Sequence, residues 1–508
     1  MPVKLDYSAP PSVAPAVAAP ISGTRLPATL VWPIVLGTLL NALNSSMIAV
    51  ALVAIEQSFA SSANATKAVP VSAHGTELDA MWLVSGLYLA TAVGQPTMGR
   101  LADRFGARRI FCIGLAIVLA ASVLAPFAPS LGWLIASRIV LGLGTSAAYP
   151  AGMTMIRTWS RRHANGATPT GGLGAISVAA QVAVAFGPPL GGALVELAGW
   201  RAIFWVNVPI VLASFITARL WLPKDERITP TTARGTWRQA FIELDVPGIV
   251  LFVLALASLL LFLQSIARLH GAGAQPQWLL LAAGVLIGTL LILFERRTLT
   301  PFIDVRMLVG NRPLMGTYVR CVATYAVFYA IFYALPIWLQ EVRHLSAASA
   351  GLLMLPIAGI GTVATVIATR VADRSGARRV LIYGSSLLCV GGIVMSLITH
   401  TLPVWSIALL SVVFGIPNGF NNLGNQATLY RSAPHDKMGA ASGLYRTAQY
   451  VGGSLSFALV GLALGRPASD SGLHGLAIVL AATSFALLMN AVTSKHIEAG
   501  SPILSQSK

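Results

Sequence analysis

Acid is scarce in this sequence. Only 17 of its 508 residues are Asp or Glu, and charged residues together make up 10 % of the chain, against roughly 25 % in a soluble domain. A water-soluble surface of ordinary composition is excluded. Cysteine is scarcer still. Cys112, Cys321 and Cys389 all sit in apolar runs, which leaves no disulfide framework and makes them small packing residues. The sequence also has no His/Cys cluster at metal-ligand spacing, no nucleophile elbow and no G-x-x-x-x-G-K-[ST] phosphate loop. An enzyme and an ATP-driven pump are therefore not expected, and no cofactor or metal is implied. Basic residues outnumber acids to give a net charge of +17. They are scattered between apolar runs and not gathered on one face, so nucleic acid is not the expected partner.

What the chain has in abundance is apolar residues, 56 % of the total. They form runs of about 20, the length at which a helix crosses a hydrocarbon core of about 30 Å. Fourteen such runs are read, the first at 29–55 and the last at 472–492. This predicts an all-α integral membrane protein. Lys and Arg concentrate in alternate connections, among them Arg157, Arg161 and Arg162, and the group Arg296, Arg297, Arg306 and Arg312. By the positive-inside rule these connections and both termini are cytoplasmic, and the basic groups meet anionic membrane lipid. The expected location is a bacterial inner membrane. Residues 1–28, interrupted by Pro10, Pro11, Pro15, Pro20 and Pro27, read as a disordered tail and not as a cleaved signal. Residues 493–508 read as a second cytoplasmic tail.

The segment G-R-L-A-D-R-F-G-A-R-R-I-F at 99–111 returns as T-R-V-A-D-R-S-G-A-R-R-V-L at 369–381. Asp103 pairs with Asp373, Arg104 with Arg374, Gly106 with Gly376, and Arg108 and Arg109 with Arg378 and Arg379, an offset of 270 residues. A second echo, Gly-Ala-Ile-Ser at 174–177 and Gly-Ala-Ala-Ser at 439–442, is offset by 265. A repeated basic hairpin between apolar spans marks a transporter built from two parallel halves. Two six-span halves would be offset by about 200 residues at ordinary span and loop lengths. The excess is two more helices. The expected organisation is 6 + 2 + 6: a six-helix half at 29–222, a cytoplasmic linker at 223–245, two inserted helices at 246–295, and a pseudo-symmetric second half at 313–492.

These motifs resemble those of the fourteen-span drug/proton antiporter family of the major facilitator superfamily, over roughly residues 30–460. The first hairpin is similar to the superfamily signature at Gly99, Leu101, Ala102, Asp103, Arg104, Gly106, Arg108 and Arg109. Physically, Gly106 permits the tight turn and Asp103 can cap or face a helix N-terminus. Phe-Gly-Pro-Pro-Leu-Gly-Gly in span five resembles the antiporter signature at Gly187, Pro188, Gly191 and Gly192. Pro188 should bend the helix, and Gly187 and Gly191 admit a close neighbour. The segments 199–210 and 243–248 look like the family's entries to spans six and seven. The resemblance implies a major facilitator fold, alternating access, proton antiport and, as a partner some members use, a periplasmic adaptor.

Ionisable groups inside spans are costly and mark function. Arg138, Gly142 and Gly144 in span four are similar to the family's R-x-x-q-G-x-g, with Leu141 in place of the usual Gln. Arg446 and Gln181 occupy equivalent places in the repeat and are expected to face a central cavity. In span nine, Tyr318, Tyr325, Tyr329 and Phe332 share a face opposite Arg320. That face either lines the cavity or packs on lipid or a helix. In span twelve, Asn418, Asn421, Asn422 and Asn425 form a stripe suited to a wet substrate path or to joining helices. Asn44 stands where the family has its span-one Asp and is a candidate for the substrate path. Proton coupling needs a group that changes charge, which Arg does not do. Beside Arg138, the candidates are Glu56 and Glu196, at the outer ends of spans one and five.

The sequence therefore reads as a secondary active transporter exporting small organic compounds in exchange for protons. Arg in the cavity without acid favours neutral or anionic substrates. A facilitator or importer of organic anions is the rival within transport, and a transporter-like ligand sensor the rival outside it.

Overall fold

In a bilayer every backbone N–H and C=O must be paired within its own segment, and a helix does this. The computed structural model describes residues 26–66, 80, 82–163, 170–225, 245–267, 277–298, 301–433, 438–464 and 468–494, and among them no strand occurs. The tails at 1–25 and 495–508 and most of the linker, 226–244, lie outside the described residues. The helices are α1 Ala28–Thr66, α2 Trp82–Phe105, α3 Ala107–Leu124, α4 Leu131–Thr145, α5 Ala148–His163, α6 Thr170–Ala198, α7 Ala202–Trp205, α8 Asn207–Trp221, α9 Val246–Ala267, α10 Trp278–Glu295, α11 Val305–Gly310, α12 Arg312–Glu341, α13 Ala347–Leu353, α14 Leu355–Ser396, α15 Val404–Ser432, α16 Met438–Ala463 and α17 Asp470–Thr493. Among the described residues, eleven segments are long and apolar enough to cross a membrane, against the fourteen expected.

Three boundaries differ from expectation. Span four breaks between α4 and α5 at Ser146 and Ala147, where the Ser146 side chain turns back to the Leu143 carbonyl at 2.6 Å. The first helix continues past residue 55 to Thr66, into the stretch expected as an outer loop. At the second hairpin the two arms of α14 are separate helices that meet with no loop between them, the chain turning at Gly376.

Both hairpins turn on glycine. Gly106 has φ 101° and Gly376 φ 81°, a region costly for any residue with a Cβ. Arg108 donates to the Arg219 carbonyl at the end of α8, at 2.6 Å. Its repeat partner Arg378 donates to the Ala491 and Val492 carbonyls at the end of α17. Equivalent arginines thus cap equivalent helix C-termini, where unpaired carbonyls attract positive charge. Asp103 does not cap α3. It lies in the last turn of α2, exposed, and accepts from Thr154 Oγ1 at 3.1 Å; helical side chains lean back toward their own N-terminus, away from the turn. The cap is Asp225, whose carboxylate accepts from the backbone N–H groups of Arg108 and Arg109 at 3.0 and 2.9 Å.

The hairpins define one face of the bundle. At that face the two halves have separate cores, one around Ile34, Phe111, Met155 and Val211, the other around Leu314, Tyr318, Leu429 and Tyr445. Toward the opposite face they share one core, running from Ile48 and Leu87 to Tyr333, Trp338 and Phe457. The halves therefore meet away from the hairpins and part toward them. Helices α9 and α10 lie at the periphery, with few of their residues buried, whereas most of α1 and α12 is buried.

Candidate functional site

The contacts between the halves begin at the face opposite the hairpins. A Cβ on Gly192 would strike Ala347, and one on Gly351 would strike the Pro188 carbonyl, so α6 and α13 touch backbone to backbone. In the same helix, a Cβ on Gly187 would meet Ser46 and one on Gly191 the Met47 carbonyl. Gly187 and Gly191 therefore face α1, while Gly192 faces the other half.

Deeper in, Tyr333 Oη donates to the Ser45 carbonyl at 2.8 Å and lies 2.7 Å from Tyr88 Oη. Tyr333 has one proton, so Tyr88 donates to it. Tyr329 packs on Tyr88, Tyr325 and Tyr333, with ring centroids 5.2, 6.0 and 5.9 Å apart. Toward the hairpins the lining turns polar. Tyr450 Oη donates to Asn41 Oδ1 at 3.2 Å and accepts from Gln95 Nε2 at 3.0 Å, while Asn41 Nδ2 reaches Thr145 Oγ1 at 3.0 Å. The Arg446 guanidinium stands 4.6 Å from the Tyr149 ring centre, a cation–π contact across the two halves. Arg446 Nη1 donates to Gln449 Oε1 at 3.4 Å, Gln449 Nε2 to Tyr325 Oη at 2.7 Å, and Tyr325 Oη to Asn422 Oδ1 at 3.2 Å. Gln426 Nε2 also donates to Asn422 Oδ1. The cluster is built of phenols, amides, a hydroxyl and one guanidinium, and among the described residues no carboxylate belongs to it.

Two further buried arginines direct their hydrogen bonds to other groups. Arg138 is 1 % exposed, and its Nε and Nη2 donate to the Leu83 and Asn44 carbonyls, both at 3.1 Å. It ties α4 to α2 and α1 instead of reaching the membrane surface. Arg320 lies on the far side of α12 from Tyr325 and Tyr329. It donates to Thr317, Thr428, Asn490 and Asn425.

The amide stripe of α15 divides accordingly. Asn422 joins the polar cluster, Asn425 is fully buried against Arg320, and Asn421 lies against Ser385. Asn418 is half-buried beside Gly361. Asn44 turns to α8: its Nδ2 donates to Asn207 Oδ1 at 2.8 Å, and Asn207 Nδ2 donates back to Asn44 Oδ1 at 2.9 Å. Both are buried. Glu56 is buried on α1, and Glu196 is exposed at the end of α6. Around the hairpins, Gly99 packs on Pro150, Arg104 stacks on Phe105, and Arg109 and Arg374 are exposed. The side chains of Gln181 and Asp373 lie outside the described residues.

Asn41, Gln95, Tyr149, Gln449, Tyr450, Asn207 and Asp225 were not singled out by the sequence. For Gln449 and Tyr450 a signal existed: they follow Arg446 by three and four residues, one helical face. For Asn207 the signal was an uncharged polar residue opening an apolar helix. Asp225 had none, since its role depends on where the end of α8 lies.

Residues 34–457 match the family model described as Major Facilitator Superfamily. Among curated relatives, an uncharacterized MFS-type transporter, YwoD, of Bacillus subtilis is 32 % identical over 90 % of this chain and 94 % of its own. The tetracenomycin C resistance and export protein of Streptomyces glaucescens is 28 % identical, over 86 % of this chain and 77 % of its own. Among solved structures, the nucleoside transporter NupG matches 91 % of this chain and 99 % of its own at a TM-score of 0.60 and 12 % identity. The inward-open xylose transporter XylE of E. coli matches 90 % and 94 % at 0.58 and 16 %.

Proposed function

The chain belongs to the Major Facilitator Superfamily, a family of membrane transporters and not of enzymes, and from that premise we propose that it exports small organic compounds, neutral or anionic, by alternating access. The observation that carries the proposal is the cluster around Arg446. It joins the two halves, with Arg446 against Tyr149 and Tyr450 bonded to Asn41 and Gln95, and among the described residues it offers phenol faces, amides and a guanidinium with no acid. Such a surface binds flat organic molecules by stacking and hydrogen bonding, favours a carboxylate or carbonyl, and gives a cation no counter-charge. Export is supported by relatives named for resistance to tetracenomycin C, methylenomycin A and puromycin.

Fourteen spans in a 6 + 2 + 6 order are part of the same reading. Beyond the eleven apolar segments, α2, α6 and α16 are further long helices, and α2 and α16 carry Gln95, Arg446, Gln449 and Tyr450. Their polarity is that of a path lining. The hairpin face is assigned to the cytoplasm because the arginines of both hairpins lie there. Exchange for protons is the proposed driving force, with Glu56 and Glu196 as the candidate titrating groups and Arg138 as a fixed charge in the same half. Asn44 in place of an acid favours a second reading, a facilitator of organic anions. Transport in energised vesicles under an imposed pH gradient separates them: flux that follows the proton gradient supports exchange, and flux indifferent to it supports facilitation.

A further inference from the structure

Outside the Arg446 cluster, two acids are buried together where the inserted helices meet the rest of the protein. Asp245 opens α9 and Glu295 ends α10; they are 2 % and 1 % exposed. Asp245 Oδ1 accepts from the Gly248 N–H at 3.1 Å, capping α9, and its Oδ2 accepts from the Phe302 N–H at 2.7 Å. Glu295 Oε1 accepts from the neighbouring Ile303 N–H at 3.2 Å, and Glu295 Oε2 is buried with no hydrogen-bond partner. A Cβ on Gly248 would touch Asp245 Oδ2 and, at 2.7 Å, Glu295 Oε1, so the carboxylates converge on one small space that only glycine leaves open. Asp245 is also held at φ 52°, a conformation a residue with a Cβ keeps only when its surroundings impose it.

Charge accounts for the arrangement. Among the described residues, the cation beside these groups is Arg100 of α2, which interacts with both acids and donates from Nη2 to the Pro301 carbonyl at 2.8 Å. Two ionised acids beside one arginine leave a net buried negative charge, and an ionised Glu295 would leave Oε2 without a donor. One proton on the pair removes the excess charge and supplies a donor. The remaining charged groups nearby are otherwise engaged. Arg296 and Arg297 are exposed, Asp304 accepts from the Met307 N–H, Arg306 donates to the Arg296 carbonyl, and Arg446, on α16 packed against α9, turns to Tyr149 and Gln449.

We propose that Asp245 and Glu295 form a proton-binding pair that holds one proton while segment 301–304 is docked, and that loss of this proton to water undocks the segment and frees Arg100. The pair would then link protonation on the inserted helices to α2, the helix that carries the first hairpin. The proposal stands whether or not transport itself is coupled to protons.

Hydrogen–deuterium exchange of the full-length protein in detergent, read at Phe302 and Ile303 and corrected for intrinsic rates, tests it. In the wild type, exchange rises with pH by up to about tenfold per pH unit, the linkage of one proton. Glu295→Gln, whose amide donates as the protonated acid does, flattens this dependence with the segment protected. Asp245→Asn, which leaves one acid against Arg100, flattens it as well and decides the matter if the first variant does not fold. Asp304→Asn keeps the wild-type dependence. A wild type without pH dependence, a variant of either paired acid that retains it, or its loss in Asp304→Asn would overturn the proposal.

Discussion

Exchanging both partners of the Asn44–Asn207 amide pair should cost less than the two single exchanges added together. Asn44 and Asn207 make two reciprocal hydrogen bonds between α1 and α8, in a site where both are buried. Asn207→Ala leaves the Asn44 carbonyl oxygen without its donor, and Asn44→Ala leaves both ends of the Asn207 amide stranded. An interhelical bond inside a membrane protein averages about 0.6 kcal/mol and reaches about 1.7, and a stranded buried amide costs about 1–3 kcal/mol. Each single exchange should therefore destabilise by about 1–3 kcal/mol. The double exchange removes the pair without stranding either partner, so its cost should fall short of the sum by about 1–2 kcal/mol, the value of two such bonds. The Arg138 contact is to the Asn44 backbone carbonyl and survives all three substitutions. The assay is reversible unfolding in mixed micelles, with transport measured in parallel. Costs that add to within about 0.5 kcal/mol, or a loss of substrate affinity in Asn44→Ala with stability unchanged, would refute the pairing and return Asn44 to the substrate path.

Further outcomes follow from the hairpins and the glycine contacts. Asp225→Ala should lower stability by about 1 kcal/mol through loss of the α3 cap, measured as a fall in unfolding midpoint, whereas Asp103→Ala should cost less because Asp103 is itself exposed and bonds a single hydroxyl. Arg108→Ala and Arg378→Ala should destabilise to similar extents, each by about 0.5–1 kcal/mol, since they cap equivalent helix ends; a large asymmetry would count against the equivalence. Gly191→Val should force α6 off the Met47 carbonyl, costing about 1–3 kcal/mol and slowing transport, whereas Gly288→Val, in open space on α10, should leave both unchanged.

Helices and halves were legible in the sequence because their signals are long. A run of about 20 apolar residues survives any local accident, and a repeated thirteen-residue hairpin fixes two equivalent corners. Arg320 was legible too, since helical periodicity alone puts it opposite Tyr325. The partners of Asn44 and of the α3 N-terminus were not legible. Asn44 pairs with Asn207, 163 residues away, and Asp225 reaches α3 only because α8 ends beside it. The stripe on α15 shows the limit of periodicity: it places Asn422 and Asn425 on one face, and their neighbours then draw one to Tyr325 and the other to Arg320. Scarcity of acid inside the spans drew attention to the centre of the bundle and away from Asp245 and Glu295, which lie at helix ends and are buried together there.

The central claim is that the acid-free cluster around Arg446 selects neutral or anionic organic compounds. Transport by purified protein in liposomes, measured for an aromatic carboxylate, its amide and the amine of matched size, in wild type and Arg446→Gln, tests it most directly. The account predicts transport of carboxylate and amide but not amine, with Arg446→Gln weakening the carboxylate by about 10–100-fold, the worth of a hydrogen bond to a charged group, and leaving the amide nearly unchanged. Preferential transport of the amine, unaltered by Arg446→Gln, would contradict it.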